Sequence, residues 1–420
     1  MINFKKIKEN DFAITAMYLF AFLLPLNPKA STIVIFFWLA VSFNKVQVSK
    51  LVFEKKLILL PILYFTYIFS LIYTENFSFK YFEQKASLLA FPLIFYLNGY
   101  KYNTKVLNKV LYFFVIGCLL SVLLCFFYAF YSSINITDSS ITFTPQVTPG
   151  LEFIESSVKG GNFFYGTHFS IFHHTTYYAM FLCFGVAILL FKDNLVKHKI
   201  VKVLFIGLLS VTIFQISSRA GVLTLFLIAL FFIYNKTNSK VLFFKYGLAV
   251  LLGLSALVIF NPRLKHTAKN IFNSITTFHN EDVSSSSLRL MTWDASIDVI
   301  AENPILGVGI GDAYYSLREV YRQKRYVMPY RDLLNAHNEY FQLYLEAGII
   351  ALLVYLIVLL FLYKQTKIKN NVTNIISVFL LIIVVNSLFE SILNHYSGIV
   401  FYSFFYCFFV MINREKSMIK

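Results

Sequence analysis

The residues best suited to chemistry lie where a polar stretch meets an apolar run near the C-terminus. Residues 335–340 read NAHNEY. If the following run is helical, His337 lies at its N-terminus, where the helix dipole disfavours imidazolium and leaves a neutral ring that accepts a proton near pH 7. Asn338 and Glu339 are placed to orient that ring or to bind hydroxyl groups. A single His is more often structural, and the residues alone leave both interpretations open.

Two arginines are candidates for binding a phosphate. Ser218 and Arg219 stand in a short turn between two apolar runs. A helix that begins there presents N–H groups to an anion, beside a guanidinium suited to bidentate phosphate binding. Arg289 stands four residues before Trp293 in a predicted helix over 287–301, so that it can stack on the indole. The alternatives are an Arg219 that reaches lipid headgroups and an Arg289 on a solvated face.

The predicted helix over 287–301 is amphipathic. Ser287 is its expected cap, and Leu290, Trp293 and Ile297 form an apolar stripe at helical spacing. This pattern predicts that the stripe is buried.

Signals of a cofactor or metal site are weak. Residues 306–312 read LGVGIGD, but the glycines lack the spacing and the strand context of a phosphate-binding loop. A tight backbone turn packed at the membrane surface is the better interpretation. His168, His173 and His174 cluster without accompanying carboxylates. We therefore expect no metal and no cofactor.

The elements that carry these residues must belong to a membrane protein. Of 420 residues, 58% are apolar and 14% are charged, against about 25% charged in soluble domains. That much apolar surface needs the bilayer as its solvent. The net charge of +16 is distributed in short clusters between apolar runs, which argues against a nucleic-acid partner. All four Cys lie within apolar runs, as buried thiols do.

Hydropathy predicts an all-α, polytopic protein of about twelve transmembrane helices. Residues 1–260 would hold nine helices and an external loop over 132–174. Residues 261–336 would form a large, partly helical periplasmic loop, and 337–420 the last three helices. The apolar segments are 12–26, 31–43, 57–73, 86–97, 106–131, 175–191, 200–216, 218–234, 241–260, 338–363, 372–394 and 397–413. The second and fourth are short for a crossing.

The distribution of Lys and Arg sets the orientation. With the N-terminus inside, 23 of the 37 basic residues fall in inside segments and five in short or medium outside loops, while nine lie in 261–336. Because long loops translocate largely regardless of charge, this ratio supports an even number of crossings. We expect both termini in the cytoplasm and the candidate site on the periplasmic side of a bacterial inner membrane.

Taken together, the motifs resemble the O-antigen ligase and polymerase superfamily of membrane glycosyltransferases. The resemblance covers roughly residues 160–395, and the first five helices match only in hydropathy. It rests on five motifs: Ser217-Ser218-Arg219-Ala220-Gly221, Arg289-x-x-x-Trp293, Asn303-Pro304-Ile305-Leu306-Gly307-Val308-Gly309, His337-Asn338-Glu339-Tyr340-Phe341-Gln342 and Glu346-Ala347-Gly348.

The resemblance implies an inverting, metal-independent transfer of a glycan from undecaprenyl-pyrophosphate to an acceptor hydroxyl, most simply that of lipid A–core. His337 would be the general base, and Arg219 and Arg289 would bind the pyrophosphate. His174 would lie at the rim of the cavity, and Asn338, Glu339 and Ser218 are further candidate contacts. The partners implied are the lipid-linked donor, the acceptor and the bilayer.

Three alternatives remain open at this point. The same motifs fit a chain polymerase of O-antigen or exopolysaccharide, and they fit a protein O-oligosaccharyltransferase. A transporter or flippase would need two related halves and coupling residues at mid-membrane, which the sequence does not display.

Overall fold

The structure is a computed structural model of the whole chain. It describes residues 12–44, 51, 54–137, 140–148, 150–159, 161–237, 239–260, 285–368 and 372–413. The predicted N-terminal and C-terminal ends, and the first part of the predicted large loop, over 261–284, lie outside the described residues.

The described part of the chain contains eighteen helices and one pair of strands. In chain order they are α1 Phe12–Leu23, α2 Pro28–Asn44, α3 Leu59–Ser70, α4 Lys80–Lys85, α5 Ser87–Leu97, α6 Thr104–Ser133, β1 Ile134–Thr137, β2 Ser140–Phe143, α7 Phe153–Lys159, α8 Gly166–Phe169, α9 Thr175–Phe191, α10 Lys199–Gln215, α11 Arg219–Lys236, α12 Lys240–Phe260, α13 Ser285–Glu302, α14 Ala313–Gln323, α15 Val327–Arg331, α16 Glu339–Gln365, α17 Thr373–Phe389 and α18 Tyr396–Asn413.

The architecture is that of a polytopic helical protein. Each of the twelve predicted apolar segments contains one helix. Four described helices, α6, α11, α16 and α18, are long and apolar enough to cross a membrane, and α1, α2, α5, α9 and α17 are shorter apolar helices. The number of crossings, twelve, stays a prediction.

One small sheet departs from the all-α prediction. Strands β1 and β2 pair antiparallel, with Ile134 opposite Phe143 and Ile136 opposite Ile141. β-Branched and aromatic residues favour the extended backbone. The hairpin therefore forms directly after α6, within the segment that was predicted to be an external loop.

Helix α18 lies at the centre of the bundle. It is buried along nearly its whole length, which explains a sequence that is apolar on every side. Phe404 contacts Phe20 of α1, with ring centroids 4.8 Å apart. The adjacent Phe405 contacts Phe184 of α9 at 4.7 Å. Successive aromatic residues of α18 thus join the first helices of the chain to the later ones that carry the candidate site.

Helix α13 buries a different face from the one predicted. Met291, Ala295 and Val299 are buried at helical spacing, whereas Leu290 is 36% and Ile297 54% exposed. Small residues on the inner face allow a close approach to α14 and α16, which the apolar stripe did not reveal. The helix also begins at Ser285, so that Ser287 lies within its first turn and is not the cap.

Helix α16 is broken one third of the way along, at Gly348 (φ 71°). In an unbroken helix the carbonyl of Leu345 would accept a hydrogen bond from Ile349. Here Val308 N donates to Leu345 O at 2.9 Å, and Ile349 N donates to Ile305 O at 3.0 Å. The loop thus replaces the helical bond with two others, which satisfies the backbone groups at the break.

The loop that makes these bonds is the glycine-rich segment 305–312. A Cβ on Gly307, which has φ 68°, would lie 2.3 Å from the carbonyl oxygen of Tyr344. On its other side, the carboxylate of Asp312 accepts hydrogen bonds from the backbone N–H of Asn76 at 3.0 Å and from its side-chain amide at 2.7 Å. The predicted tight turn is confirmed, and it joins the break in α16 to the loop after α3.

Candidate active site

Helices α9, α11 and α16 begin at the end of the bundle where α17 terminates. We call this end of the bundle the site end. Helix α11 packs on α9 so closely that a Cβ on Gly221 would lie 2.5 Å from the Cβ of Ala179. It also packs on α17, because Asn386 Nδ2 donates to Thr224 Oγ1 at 3.3 Å. The N-termini of α9 and α11 therefore lie level with the C-terminus of α17, and the N-terminus of α16 joins them.

His337 stands immediately before α16 and pairs with Glu390, the residue after α17. Its Nδ1 lies 3.1 Å from Glu390 Oε1, with the His side chain 26% exposed and the Glu side chain 6% exposed. Burial raises the pKa of the Glu390 carboxyl. The hydrogen bond from His337 and the positive charges of His337, His174 and Arg289 outweigh that effect and leave the pKa below its ordinary value. An ionised Glu390 accepts the proton of Nδ1, so a neutral ring keeps Nε2 as its proton acceptor.

The local chain holds His337 in a left-handed conformation, with φ 44°. Such a conformation costs about 1–3 kcal/mol in a non-glycine residue and persists only where its surroundings impose it. The N–H of Ala336 donates to Gln342 Oε1 at 3.0 Å, and the carbonyl of Ala336 accepts from Thr292 of α13 at 3.1 Å. His337 N donates to Asn335 Oδ1 at 2.9 Å. These bonds fix the backbone on the N-terminal side of the His337 Cα atom.

Arg289 reaches the same segment from α13. Its Nε donates to the carbonyl oxygen of Phe389 at 3.0 Å, one residue before Glu390. The guanidinium is half-buried; burial lowers its pKa, and the charge of Glu390 raises it. Arg289 and His337 are therefore both held against the segment 389–390.

Arg219 is the first residue of α11 and is half-buried. The preceding Ser218 is the buried N-cap, whose Oγ accepts from Gly221 N at 3.2 Å. Ser218 thus has a structural partner within the helix end. Arg219 lies at the site end, on a helix that packs against α17.

The other predicted contacts differ in their surroundings. His174 is the N-cap residue of α9 and interacts electrostatically with Glu390, His337 and Arg289. Asn338 caps α16, since its Oδ1 accepts from Tyr340 N and Phe341 N. Glu339 is fully buried and accepts from Leu393 N at 2.8 Å. Contact of these residues with substrate stays a prediction.

Residues 203–356 match the family model for O-antigen ligases. The chain carries an O-antigen ligase domain. No curated protein matches the chain.

The O-antigen ligase domain contains Arg219, Arg289 and His337, and it ends before Glu390. The resemblance found in the motifs is therefore confirmed, and it implies a ligase or a related polymerase or glycosyltransferase. Glu390, which was not a predicted site residue, is brought to His337 by the fold. Its position at the end of an apolar run was the available signal, because ionisable groups there are costly and tend to be functional.

The sequence did not predict a buried ion pair that joins α4 to α16. Lys85, the last residue of α4, is fully buried and contacts Glu346 Oε2 at 3.3 Å. Its Nζ also donates to the carbonyl oxygen of Leu393 at 3.1 Å and to Asn394 Oδ1. Three acceptors therefore satisfy the three donors of the ammonium group. Lys85 ties α16, which follows His337, to the turn that follows Glu390.

Proposed function

We propose that this protein transfers a glycan from an undecaprenyl-pyrophosphate carrier to an acceptor hydroxyl, and that the acceptor is the core oligosaccharide of lipid A. The pairing of His337 with Glu390 at 3.1 Å is the single observation that carries the proposal. The half-exposed His supplies a base, and a buried carboxylate orients it. The site end then faces the periplasm, and both termini are cytoplasmic.

In the proposed reaction, His337 Nε2 takes the proton of the acceptor hydroxyl as its oxygen attacks the anomeric carbon of the donor sugar. The new glycosidic bond forms as the bond from that carbon to the pyrophosphate oxygen breaks. Attack from the face opposite the leaving group inverts the anomeric centre. The carboxylate of Glu390 stabilises the imidazolium that forms.

The pyrophosphate leaves with the bonding electron pair. In this mechanism the guanidinium groups of Arg219 and Arg289 stabilise its negative charge. Arginine suits this role because its planar guanidinium binds phosphate in bidentate fashion and stays protonated. Support comes from Arg289 beside the segment 389–390 and from Arg219 at the start of the neighbouring helix α11. The His174 side chain adds a hydrogen-bonding group at the same end. The step needs no metal.

The test is transfer by the purified protein, given carrier-linked glycan and lipid A–core, with the product identified by mass. His337→Ala should abolish product formation, whereas undiminished transfer would refute the mechanism. Strong inhibition by a chelator would refute the metal-free step. Deletion of the gene distinguishes the ligase from a polymerase, because loss of a ligase leaves long glycans on the carrier, and loss of a polymerase leaves single repeats on lipid A–core.

A further inference from the structure

A polar cavity of about 540 Å³ is lined in part by the glycine-rich segment, and His337 is not among its lining residues. Its walls come from α13, α14, the segment 305–312 and the loop after α3. Its polar and aromatic lining residues include Tyr73, Glu75, Glu302, Asn303, Tyr315 and Ser316.

The charge of this cavity is opposite to that of the protein as a whole. Glu75, Glu302 and Glu319 line it, and no Lys or Arg is among the described residues that do so. Arg322 pairs with Glu319, whereas the carboxylates of Glu75 and Glu302 make no hydrogen bond or ion pair with another described residue. An anionic ligand would be repelled by these groups, and the hydroxyls of a neutral one would donate to them.

Hydrogen bonds hold the walls of the cavity in place. Tyr73 donates its hydroxyl proton to the carbonyl oxygen of Leu306 at 2.7 Å, and Asp312 accepts from Glu75 N at 2.7 Å. Tyr315 is 56% exposed, which leaves an aromatic surface for the apolar face of a sugar ring. A cavity whose walls are held by these bonds, and which offers carboxylates, an amide and an aromatic side chain, reduces the ordering cost of binding a polyhydroxylated ligand.

One helix joins the cavity to the proposed reaction centre. Arg289 lies near the start of α13 and Glu302 at its end, and their separation of thirteen positions corresponds to about 20 Å at the helical rise per residue. A monosaccharide cannot occupy both places, but an oligosaccharide can extend from one to the other.

We propose that this cavity is a binding subsite for neutral sugar residues of the glycan substrate, several units from the bond that is made. The inference rests on the proposed function for its substrate class. Both the donor glycan and the acceptor glycan can supply neutral sugar residues. The subsite binds the one of the two that extends along α13.

The experiment uses the full-length His337→Ala protein in detergent, which binds substrate without consuming it. Saturation-transfer NMR measures the Kd of two soluble probes, a neutral oligosaccharide and the same oligosaccharide carrying a phosphate. Glu302→Gln and Tyr315→Ala are the test substitutions. Glu152→Gln, which removes an exposed carboxylate outside the cavity, is the matched control.

We expect each test substitution to weaken binding of the neutral probe by about tenfold, the equivalent of one lost hydrogen bond or stacking contact, and Glu152→Gln to leave it unchanged. Unchanged binding in both test variants, or tighter binding of the phosphorylated probe, would overturn the proposal. Competition by soluble donor glycan and by soluble acceptor glycan identifies the source.

Kinetics of the active protein keep the two proposals separate. Glu302→Gln should raise the KM of the substrate that occupies the cavity and leave kcat unchanged. Transfer with an unaltered KM would refute the subsite alone. Absence of transfer by the unsubstituted protein, with sugar binding intact, would refute the proposed function alone.

Discussion

Replacing Lys85 by Met tests how far the site depends on the buried ion pair that joins α4 to α16. The substitution preserves most of the side-chain length and removes the charge. It leaves Glu346 without its cation, and it leaves the carbonyl oxygen of Leu393 and the side chain of Asn394 without a donor. The Nζ also lies 4.2 Å from the ring centroid of Tyr67, so a cation–π contact is lost as well.

The expected loss of stability is large because neither partner is accessible to solvent, with side-chain exposures of 0% for Lys85 and 4% for Glu346. Breaking a buried pair on one side costs about 3–5 kcal/mol, since the remaining charge is left uncompensated. That range is roughly two to four powers of ten in the unfolding equilibrium constant. Transfer activity should fall by more than the loss of folded protein accounts for, because Lys85 also holds the turn 392–394, which lies close to Glu390 in the chain.

The assay is reversible unfolding in mixed micelles, followed by far-UV circular dichroism, for Lys85→Met and for the matched variant Lys80→Met. Lys80 is the exposed first residue of the same helix, and its loss should change stability by about 0.5 kcal/mol or less. The double variant Lys85→Met with Glu346→Met should recover part of the loss, since no charge is then left buried. Equal stability of the two single variants would refute the reasoning.

Three further predictions concern the reaction and the helix break. His337→Ala should lower kcat about 10²–10⁴-fold, the usual contribution of a general base, with pyrophosphate-linked donor binding measured by fluorescence titration as the control that should not change. Glu390→Gln should lower kcat with little effect on KM, because it removes the partner that orients His337; a change confined to KM would assign Glu390 to substrate binding. Gly348→Ala should destabilise the protein in a thermal unfolding assay, because its φ is 71° and a Cβ would lie 2.3 Å from the carbonyl oxygen of Ile305; a Tm equal to that of the parent would refute the assignment of strain to this position.

The sequence predicted well those features that depend on a single run of residues. Each of the twelve apolar segments predicted from hydropathy overlaps an α-helix, because a helix satisfies its own backbone hydrogen bonds and needs no distant partner to be recognised. Residue type and helix position likewise singled out His337 and Arg289, which the structure holds against the segment 389–390; their roles in the reaction stay predictions.

Features that depend on distant residues were not predictable in this way. Glu390 follows His337 by 53 positions, and only the packing of α16 against α17 brings the two together. Lys85 is one of the five basic residues predicted to lie in short or medium outside loops, and its burial was not predictable because its partner Glu346 is far along the chain. The buried face of α13 was misassigned because small residues such as Ala295 give no apolar signal, although they permit the closest packing.

The two hydrogen bonds between segment 305–308 and the break in α16 at Gly348 affect the order in which the protein assembles. The backbone groups that pair with α16 at its break come from a segment about 40 residues earlier in the chain. Backbone groups that stay unpaired are costly in lipid. Helix α16 alone therefore lacks backbone partners at its break until the segment 305–308 packs against it. Insertion of α16 and completion of the site would then be a single late event. In a chain that stops before the loop packs against α16, the unpaired backbone groups at the break would be exposed, and membrane quality control could recognise them.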